Sequence, residues 1–182
     1  MIDSQSVSVD ATEVATPAPT APAARPRWWL LLVVLATVLV ADQLTKNWAV
    51  GELSARSINV GWTLRLFLTF NSGTAFSLGP GRGQLISVVA LAVVGFVLWS
   101  ARNDVTVLGA VARGLIVGGA VGNVLDRVFR AHDGFLSGRV VDFIDFQWWP
   151  VFNVADAAVV VGCVLLVATM LFRRPDEQPS AA

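Results

Sequence analysis

The sequence has few of the residues that build disulfides and metal centres. Its 182 residues include one cysteine, Cys163, and one histidine, His132. A single cysteine cannot form an intrachain disulfide or a cysteine-based metal cluster, and a single histidine disfavours a histidine-ligated metal. We therefore expect no metal site in this chain.

Charged residues are also scarce. They make up only 14% of the chain, and 13 basic residues balance 13 acidic ones. Without an excess of basic charge the chain lacks the electrostatic footprint of a nucleic-acid-binding protein. Hydrophobic residues make up 55% of the chain, and the mean hydropathy is +0.66. Because these residues cluster into long runs, the composition indicates a polytopic membrane protein with one domain.

Four apolar runs can each form a helix that crosses a bilayer, for which about 20 residues are needed. Each run is bounded by charged residues, glycine or proline. We predict the helices at residues 28 to about 50, 85 to 100, about 105 to 125, and 151 to 172.

The segments at the two ends of the chain set the limits of the membrane domain. Residues 1–24 are rich in Ala, Thr and Pro, and residues 175–182 are short and polar, so we expect disordered tails around a domain of residues 25–174. Four crossings place both tails on one side of the membrane. The positive-inside rule predicts that this side is cytoplasmic, because the basic residues closest to the helix ends there are Arg25, Arg27, Arg102, Arg173 and Arg174.

The two segments on the outer side are polar and contain strand patterns. Residues 58–70 alternate between apolar and polar side chains, and this period of two predicts an amphipathic strand or hairpin. A loop rich in Gly and Pro follows at residues 71–83. Residues 140–146 (VVDFIDF) are also strand-like. We therefore predict β structure in both outer segments.

The polar residues that are costly near a membrane gather at this outer side. Asp126 lies at the outer end of the third helix, Asp156 about one turn into the fourth, and Asp42 toward the outer end of the first. Asn71 and Asp142 lie in the two outer segments. Ionisable residues at membrane depth are functional candidates, so this side is the candidate site.

A glycine ridge leads to Asp126. Gly114, Gly118 and Gly122 recur every four residues, and Asp126 is the next step along the same helix face. Such ridges let membrane helices approach backbone to backbone. We expect the ridge to bring Asp126 close to a partner, and the antiparallel fourth helix offers Asp156.

The pattern Asn-x-x-Asp occurs twice, at Asn123 to Asp126 and at Asn153 to Asp156. Residues three apart share a helix face, so each Asn can donate a hydrogen bond near the carboxylates. Two carboxylates held together in poor solvent share a proton, so one can activate water while the other protonates a leaving amine. This arrangement predicts a hydrolytic pair.

The residues alone leave two other functions open. The same carboxylates could carry protons or cations through a small transporter. They could also be interhelical hydrogen-bonding groups in a structural or partner-binding protein with four helices. The inner halves of helices 2 to 4 offer only Arg113, which we expect to extend toward the nearer interface, and no carboxylate. A polar route across the membrane is therefore absent from the pattern, which favours hydrolysis over transport.

Five motifs occur in order between residues 28 and 172. They are DQLTK at 42–46, NSGTAFS at 71–77, GGAVGNVLDR at 118–127, VVDFIDF at 140–146 and FNVADAAVVVG at 152–162. With these motifs and four spans the chain resembles the lipoprotein signal peptidases (signal peptidase II), the membrane aspartic endopeptidases of bacteria. The resemblance implies an enzyme of the bacterial cytoplasmic (inner) membrane with its active site at the outer face. Such an enzyme removes the signal peptide from diacylglyceryl-prolipoproteins, cutting before the lipid-modified cysteine.

The resemblance also implies a fold. It is a membrane all-α fold, a four-transmembrane-helix bundle with a small extracytoplasmic β-cradle and a closing outer loop or helix. Residues 58–70 fit the cradle and residues 127–149 fit the closing segment. The implied enzyme contacts membrane lipid, needs no metal or organic cofactor, and is inhibited by globomycin-type cyclic peptides. We expect the chain to be a monomer.

The site residues implied by the resemblance fall into two groups. Asp126 and Asp156 would be the catalytic dyad that activates a water. The residues that would bind or position the substrate and the dyad are Asp42, Lys46, Asn71, Gly73, Gly122, Asn123, Arg127, Asp142, Asn153 and Ala155.

Overall fold

The computed structural model describes residues 26–73, 82–103, 106–131 and 134–172. The predicted tails at 1–24 and 175–182 and most of the predicted loop at 71–83 therefore lie outside the described residues. The elements in chain order are α1 (Trp28–Glu52), β1 (Ile58–Gly61), β2 (Leu64–Asn71), α2 (Arg82–Ser100), a short 3-10 turn (Ala101–Asn103), α3 (Val107–Phe129), β3 (Val140–Asp145) and α4 (Val154–Leu171).

The four predicted helices are confirmed, and each is long and apolar enough to cross a membrane. Three predicted boundaries were wrong. α2 begins at Arg82 instead of residue 85, because residues 82–84 form its first turn. α3 continues to Phe129, beyond the predicted end near residue 125, because the next residues contain no glycine or proline that would stop it. α4 begins at Val154 instead of residue 151, because Pro150 precedes it and the side chain of Asn153 caps its first turn.

α3 is the centre of the bundle. Its membrane span is 61% buried, whereas the spans of α1, α2 and α4 are each 17% buried. Those three helices pack around α3 and leave their outer apolar faces exposed. In a membrane protein such faces contact lipid, so α3 is shielded from lipid by its neighbours.

The glycine ridge of α3 packs against α1. A Cβ atom on Gly118 would lie 3.0 Å from the carbonyl oxygen of Leu35, and a Cβ on Gly122 would lie 2.7 Å from Oδ2 of Asp42. Hence any side chain on the ridge would force the two backbones apart. The ridge brings Asp126 toward α1, which corrects the expectation that it brings Asp126 to Asp156 on α4.

The buried arginine of α3 lies at the inner end of the bundle. Nε of Arg113 donates to Oγ of Ser100, the last residue of α2, at 3.2 Å. The side chain is buried by protein instead of reaching the lipid headgroups. Arg113 therefore extends toward the nearer interface as expected, but inside the protein.

The predicted hairpin is confirmed: β1 and β2 pair antiparallel and are joined at Trp62 and Thr63. β3 adds to the other edge of β2, which gives a three-stranded antiparallel sheet in the order β1-β2-β3. In this register Asn71 pairs with Val140, so that β3 begins beside the end of β2. The expectation that residues 127–149 form the closing segment is therefore wrong for β3, because its backbone completes the sheet.

The sheet packs on the ends of the helices where α1 finishes and α4 begins. Ile144 forms an isolated antiparallel bridge with Phe152, immediately before α4. A small apolar cluster joins the sheet to the end of α1, with Ala49, Leu53 and Phe143 buried and Ile58, Leu66, Leu68, Ile144 and Val154 packed around them. One end of β3 thereby lies over the bundle, where the polar residues gather.

Candidate active site

A cavity of about 440 Å³ opens between α2, α3 and α4. Its walls are apolar over most of their area, and polar side chains from β2, β3, α3 and α4 converge at one end, which we call the polar end. An apolar pocket with a few convergent polar groups is the usual form of a small binding or active site. The apolar walls include Ile86, Ala90, Val93, Ile116, Ala120, Val159 and Val160, and the polar end is formed by Asn71, Asn123, Arg127, Asp142 and Asp156.

Asp156 enters the cavity from the first turn of α4. Its Oδ2 accepts the backbone N–H of Asn153 at 3.2 Å, while Oδ1 of Asn153 accepts the backbone N–H of Asp156 at 2.9 Å. This reciprocal capping box ties the carboxylate to the helix start. Nδ2 of Asn123 donates to Oδ1 of Asp156 at 2.8 Å. The helix cap and Asn123 therefore hold the side chain in one orientation.

Asp142 enters the same end of the cavity from β3 and is 2% exposed. Its Oδ2 accepts from Nδ2 of Asn71 at 3.1 Å, and its Oδ1 accepts from Nδ2 of Asn153 at 2.6 Å. Burial, and next the charge of Asp156, raise the pKa of Asp142 to about 6, although the bonds from Asn71 and Asn153 lower it. The two carboxylates thus influence each other across the cavity, and Asn153 touches both.

Asp126 does not line the cavity. Its Oδ2 lies 3.0 Å from Nζ of Lys46 and accepts the backbone N–H of Val141 at 3.1 Å. Its Oδ1 accepts from Nε of Arg130 at 3.1 Å. The sequence pattern predicted that Asp126 meets Asp156, but the structure pairs it with Lys46 of α1. The carboxylate joins α1, α3 and β3.

Lys46 is fully buried and contacts three oxygens. Its Nζ lies 2.8 Å from Oδ2 of Asp42, 3.0 Å from Oδ2 of Asp126 and 3.0 Å from Oδ1 of Asn123. Buried charges are tolerated when they are paired and hydrogen-bonded in this way. Because an ammonium group only donates, Lys46 fixes the amide of Asn123 with its oxygen inward and its Nδ2 toward Asp156. Lys46 therefore orients Asn123, which in turn binds Asp156, although Lys46 does not contact Asp156 itself.

Asp42, the second anion of this cluster, joins α1 to α4. Its Oδ1 accepts the backbone N–H of Ala155 at 3.0 Å. Gly122 packs between Asp42 and Ala155. A Cβ at position 122, already too close to Asp42, would also lie 3.4 Å from the Cβ of Ala155. A larger residue at position 122 would separate Asp42 from the first turn of α4, where Asp156 lies.

Gly73 and Arg127 close the polar end of the cavity beside α2. Gly73 has a φ of +87°, and its N–H donates to Oδ1 of Asn71 at 2.8 Å. The guanidinium of Arg127 is buried against Gly83 at the start of α2. Within the part of the chain that the structure describes, Nη1 of Arg127 has no hydrogen-bond partner. It is therefore a donor available to a molecule in the cavity.

The twelve predicted site residues all belong to this site, in two layers. The six that line the cavity are Asn71, Gly73, Asn123, Arg127, Asp142 and Asp156. The six that lie behind them are Asp42, Lys46, Gly122, Asp126, Asn153 and Ala155.

Sequence reasoning missed two residues, Gln43 and Arg130, of the layer that lies behind the cavity wall. Nε2 of Gln43 donates to Oδ2 of Asp42 at 3.1 Å, and Arg130 pairs with Asp126 as described. Arg130 could have been found, because it lies four residues after Asp126 on the same helix face. No spacing signal identifies Gln43. Among the described residues, no cluster of His, Cys, Asp and Glu is arranged to hold a metal ion.

Known proteins with similar sequences include lipoprotein signal peptidases. A family model described as signal peptidase (SPase) II matches residues 34–172. A lipoprotein signal peptidase of Mycolicibacterium smegmatis is 46% identical over 165 residues, which cover 84% of this chain and 70% of the relative. A lipoprotein signal peptidase of Mycobacterium avium is 46% identical over 157 residues (84% and 86%), and one of Rhodococcus jostii is 42% identical over 162 residues (87% and 81%).

The fold also occurs in solved structures. Two structures described as a bacterial membrane enzyme obtained by the in meso method, at 1.9 and 2.3 Å resolution, each match with a TM-score of 0.71. They are 24% and 23% identical in sequence, cover 82% and 87% of this chain, and are each covered over 97% of their own length. At this identity the likeness shows the fold alone. From the family match and the relatives, the chain belongs to the signal peptidase II family, multi-pass aspartic peptidases of the bacterial inner membrane that remove signal peptides from prolipoproteins.

Proposed function

We propose that this chain hydrolyses diacylglyceryl-prolipoproteins just before the lipid-modified cysteine, using a water held between Asp142 and Asp156. The observation that carries the proposal is that these two carboxylates share the polar end of the cavity. The pair expected from the sequence was Asp126 and Asp156. We prefer Asp142 to Asp126 because Asp126 lies off the cavity and its two oxygens are paired with the cations of Lys46 and Arg130.

The environments of the two carboxylates suggest their roles. Asp156 is held in one orientation by Asn123 and the helix cap and faces the cavity, so we assign it as the base that takes a proton from water. Asp142, whose pKa is raised to about 6, is the group that carries a proton. When the water oxygen attacks the scissile carbonyl, Asp142 donates its proton to the leaving amine and the C–N bond breaks. The products are a signal peptide with a new carboxylate and a cysteine with a free amino group.

Substrate access through the membrane follows from the cavity walls. α2 packs against α3, and no extensive contact joins α2 to α4 in the described residues. Val93 of α2 and Val160 of α4 line the cavity and are themselves 44% and 62% exposed. The cavity is therefore open toward lipid, so a lipidated substrate can enter sideways while its acyl chains stay in the bilayer.

The orientation is part of the same proposal. Both chain ends lie on the cytoplasmic side, and the active site lies at the outer face, where the sheet covers the ends of α1 and α4. The flanking basic residues support this orientation by the positive-inside rule. A substrate whose cleavage site is fixed near the outer surface by a diacylglyceryl anchor reaches carboxylates at that depth.

Cleavage of a purified diacylglyceryl-prolipoprotein by the reconstituted chain tests the proposal. Asp142→Asn and Asp156→Asn should each lower the rate by about 10²- to 10⁴-fold or more, the contribution of a general acid or base, while the protein stays folded. Globomycin should block the wild-type reaction, and a precursor without lipid should be cleaved poorly.

Asp126→Asn separates the two possible pairs. It leaves Lys46 with one anion fewer, so we expect a less stable protein whose folded fraction still cleaves. If the Asp126→Asn variant were folded but inactive and the Asp142→Asn variant were active, the catalytic pair would be Asp126 and Asp156, as expected from the sequence. Normal cleavage by Asp156→Asn would exclude both pairs.

A further inference from the structure

Three tryptophans lie at the end of the sheet that points away from the active site. Trp62 lies in the β1–β2 turn and is 106% exposed, and Trp148 and Trp149 follow β3 and are 70% and 59% exposed. We call these three residues the distal aromatic cluster. Its two parts are joined, since Nε2 of Gln147 donates to the carbonyl oxygen of Thr63 at 3.0 Å.

The exposed rings at positions 148 and 149 are held in place by a stack that starts at α4. Phe152 stacks on Phe146 at 5.8 Å, and Phe146 stacks on Trp148 at 5.9 Å between ring centroids. Trp148 then meets Trp149 edge-on at 6.1 Å. Aromatic pairs at such distances are attractive beyond the area they bury, so the stack holds the outermost rings rigidly.

Trp62 has an unusual backbone. Its φ is +49°, in the left-handed region that bulky residues rarely adopt, and within the described residues its ring is left without cover. A costly conformation that presents a large apolar ring to the outside gains nothing from packing inside the chain. Observed strain of this kind points to a role in contact with another molecule.

The position and charge of the cluster identify that contact as the membrane surface. Trp149 stands four residues before Asn153, the cap of the membrane-spanning α4. Trp48, in the last two turns of α1, packs edge-on against Phe143 of β3 at 6.3 Å, so the sheet lies at the level where α1 leaves the membrane. Tryptophan is enriched at this level of membrane proteins. Arg65, the charged residue of the neighbouring strand, is neutralised by Asp145 at 2.9 Å.

We propose that the distal aromatic cluster inserts into the headgroup region of the outer leaflet, a leaflet that rests on the proposed orientation, and anchors the exposed tip of the sheet to the bilayer. The remainder of the sheet is fixed to protein, because Asn71 binds Asp142, the N–H of Val141 binds Asp126, and Ile144 pairs with Phe152 before α4. Protein thus supports the sheet as far as Ile144, and lipid supports the turn and the rings beyond it. This support sets the height of β3, and of Asp142, above the membrane.

Spin-label depth measurements test this anchor without any substrate, so their outcome is independent of the proposed catalytic pair. Cys163 is the only cysteine, so a Cys163→Ala background with Thr63→Cys carries one label in the turn. The protein is placed in phosphatidylcholine–phosphatidylglycerol vesicles at a low protein-to-lipid ratio. The accessibility of the label to oxygen and to a water-soluble nickel complex then gives its depth.

We expect the label to lie in the interfacial region and to move outward by roughly 5 Å when the rings are removed, the depth to which interfacial groups insert. The variant is Trp62→Asn with Trp148→Ser, because asparagine tolerates the left-handed backbone and preserves the turn. Trp29→Ser is the matched control, since Trp29 is also exposed but lies at the first turn of α1, at the inner end of the bundle. It should leave the depth unchanged.

Two results would overturn the proposal. One is a label that is fully aqueous in the wild-type background and does not respond to loss of the rings. The other is a label that is protected from the nickel complex only at high protein-to-lipid ratios, or whose spectrum shows spin–spin broadening. The cluster would then contact a second copy of the chain.

Discussion

One amide side chain, Asn153, connects the two proposed catalytic carboxylates. Its Oδ1 accepts the N–H of Asp156 at the start of α4, and its Nδ2 donates to Oδ1 of Asp142 and, at 3.1 Å, to Oδ1 of Asn123. Helix capping and site geometry therefore depend on the same group. A change that loosened the cap would also alter the separation of the carboxylates.

The raised pKa of Asp142 predicts how kcat/KM declines on the alkaline side of its pH profile (the alkaline limb). The proposed mechanism needs a protonated Asp142, so kcat/KM should fall above about pH 6, by about tenfold per pH unit. Asn71→Ala removes a hydrogen bond that stabilises the ionised form, so the pKa of Asp142 should rise and the limb should move to higher pH. The measurement is kcat/KM for a lipidated precursor across pH 5 to 9.

A matched change outside the cavity serves as the control. The hydrogen bond from Arg65 lowers the pKa of Asp145, so Arg65→Gln should raise that pKa. Because Asp145 does not line the cavity, the alkaline limb should stay in place. If Asn71→Ala left the limb unmoved, Asp142 would not be the group that titrates.

The buried ion pairs of Lys46 should contribute more to stability than an exposed ion pair of the same protein. Lys46→Met leaves Asp42 buried without its cation and Asp126 with Arg130 alone, and breaking a buried pair on one side costs about 3–5 kcal/mol. Arg56→Met breaks a pair with Glu52 whose side chains are both exposed, which is worth about 0–1 kcal/mol. Thermal unfolding of the two variants in detergent measures the difference. Equal stability would mean that the Lys46 cluster is solvated.

The sequence pattern identified the residues of the site better than it identified their partners. Spacing along a helix shows which residues share a face, and so it correctly grouped Asn123 with Asp126 and Asn153 with Asp156. It does not show which neighbouring element that face meets. Asp126 meets Lys46 because α3 packs on α1, and this packing is a property of the folded bundle.

At the scale of the elements, the glycines of α3 predict a matched pair of substitutions. A Cβ on Gly118 would lie 2.9 Å from the Cβ of Val38, so Gly118→Ala should overpack the α1–α3 contact and destabilise the protein by about 1–3 kcal/mol. Gly95 on α2 has nothing within 4 Å of such a Cβ, so Gly95→Ala should be neutral or stabilising by up to about 1 kcal/mol.

Thermal unfolding and cleavage activity of both variants check this prediction. Gly118→Ala should lose activity together with stability, because the ridge holds α1 and its Lys46 in position. Two variants of equal stability would show that α1 can move away from α3 at little cost.

Local elements were predictable to the extent that their signals are local. Apolar runs located the four helices, a period of two located the hairpin, and the strand-like residues 140–146 located β3. Helix ends were harder. The predicted end of α3 was too early because the polar segment was expected to begin at Arg127, yet Arg127 is buried and helical and the helix continues to Phe129.

At the scale of the whole molecule, the open side of the cavity predicts that closing it stops the reaction. Val93→Cys and Val160→Cys in a Cys163→Ala background place one thiol on α2 and one on α4, both lining the cavity. A bifunctional thiol-reactive cross-linker should then abolish cleavage of a lipidated precursor, because substrate could not enter from the side. A cross-linker that is cleavable by reductant should give activity back.

The two single-cysteine variants treated with the same reagent are the control and should stay active. Full activity of the cross-linked protein would show that substrate reaches the carboxylates by another route.

The arrangement of the whole chain was predictable only in part. An even number of spans places both ends on one side, and this follows from the sequence. The pairing of β3 with β2 does not, because it joins residues 71 positions apart, as between Asn71 and Asp142. For this reason Asp142 was assigned to a positioning role, and the strand predicted at residues 140–146 was assigned to the closing segment instead of the sheet.

The division of the proposed pair between a strand and the last helix has a consequence for biosynthesis. Asp142 is placed by a sheet whose first strands precede it by some 70 residues, and Asp156 arrives with α4, the final span. With the proposed pair, a chain that is still being inserted holds one carboxylate or none at the cavity. We therefore expect the peptidase to stay inactive until its last helix docks.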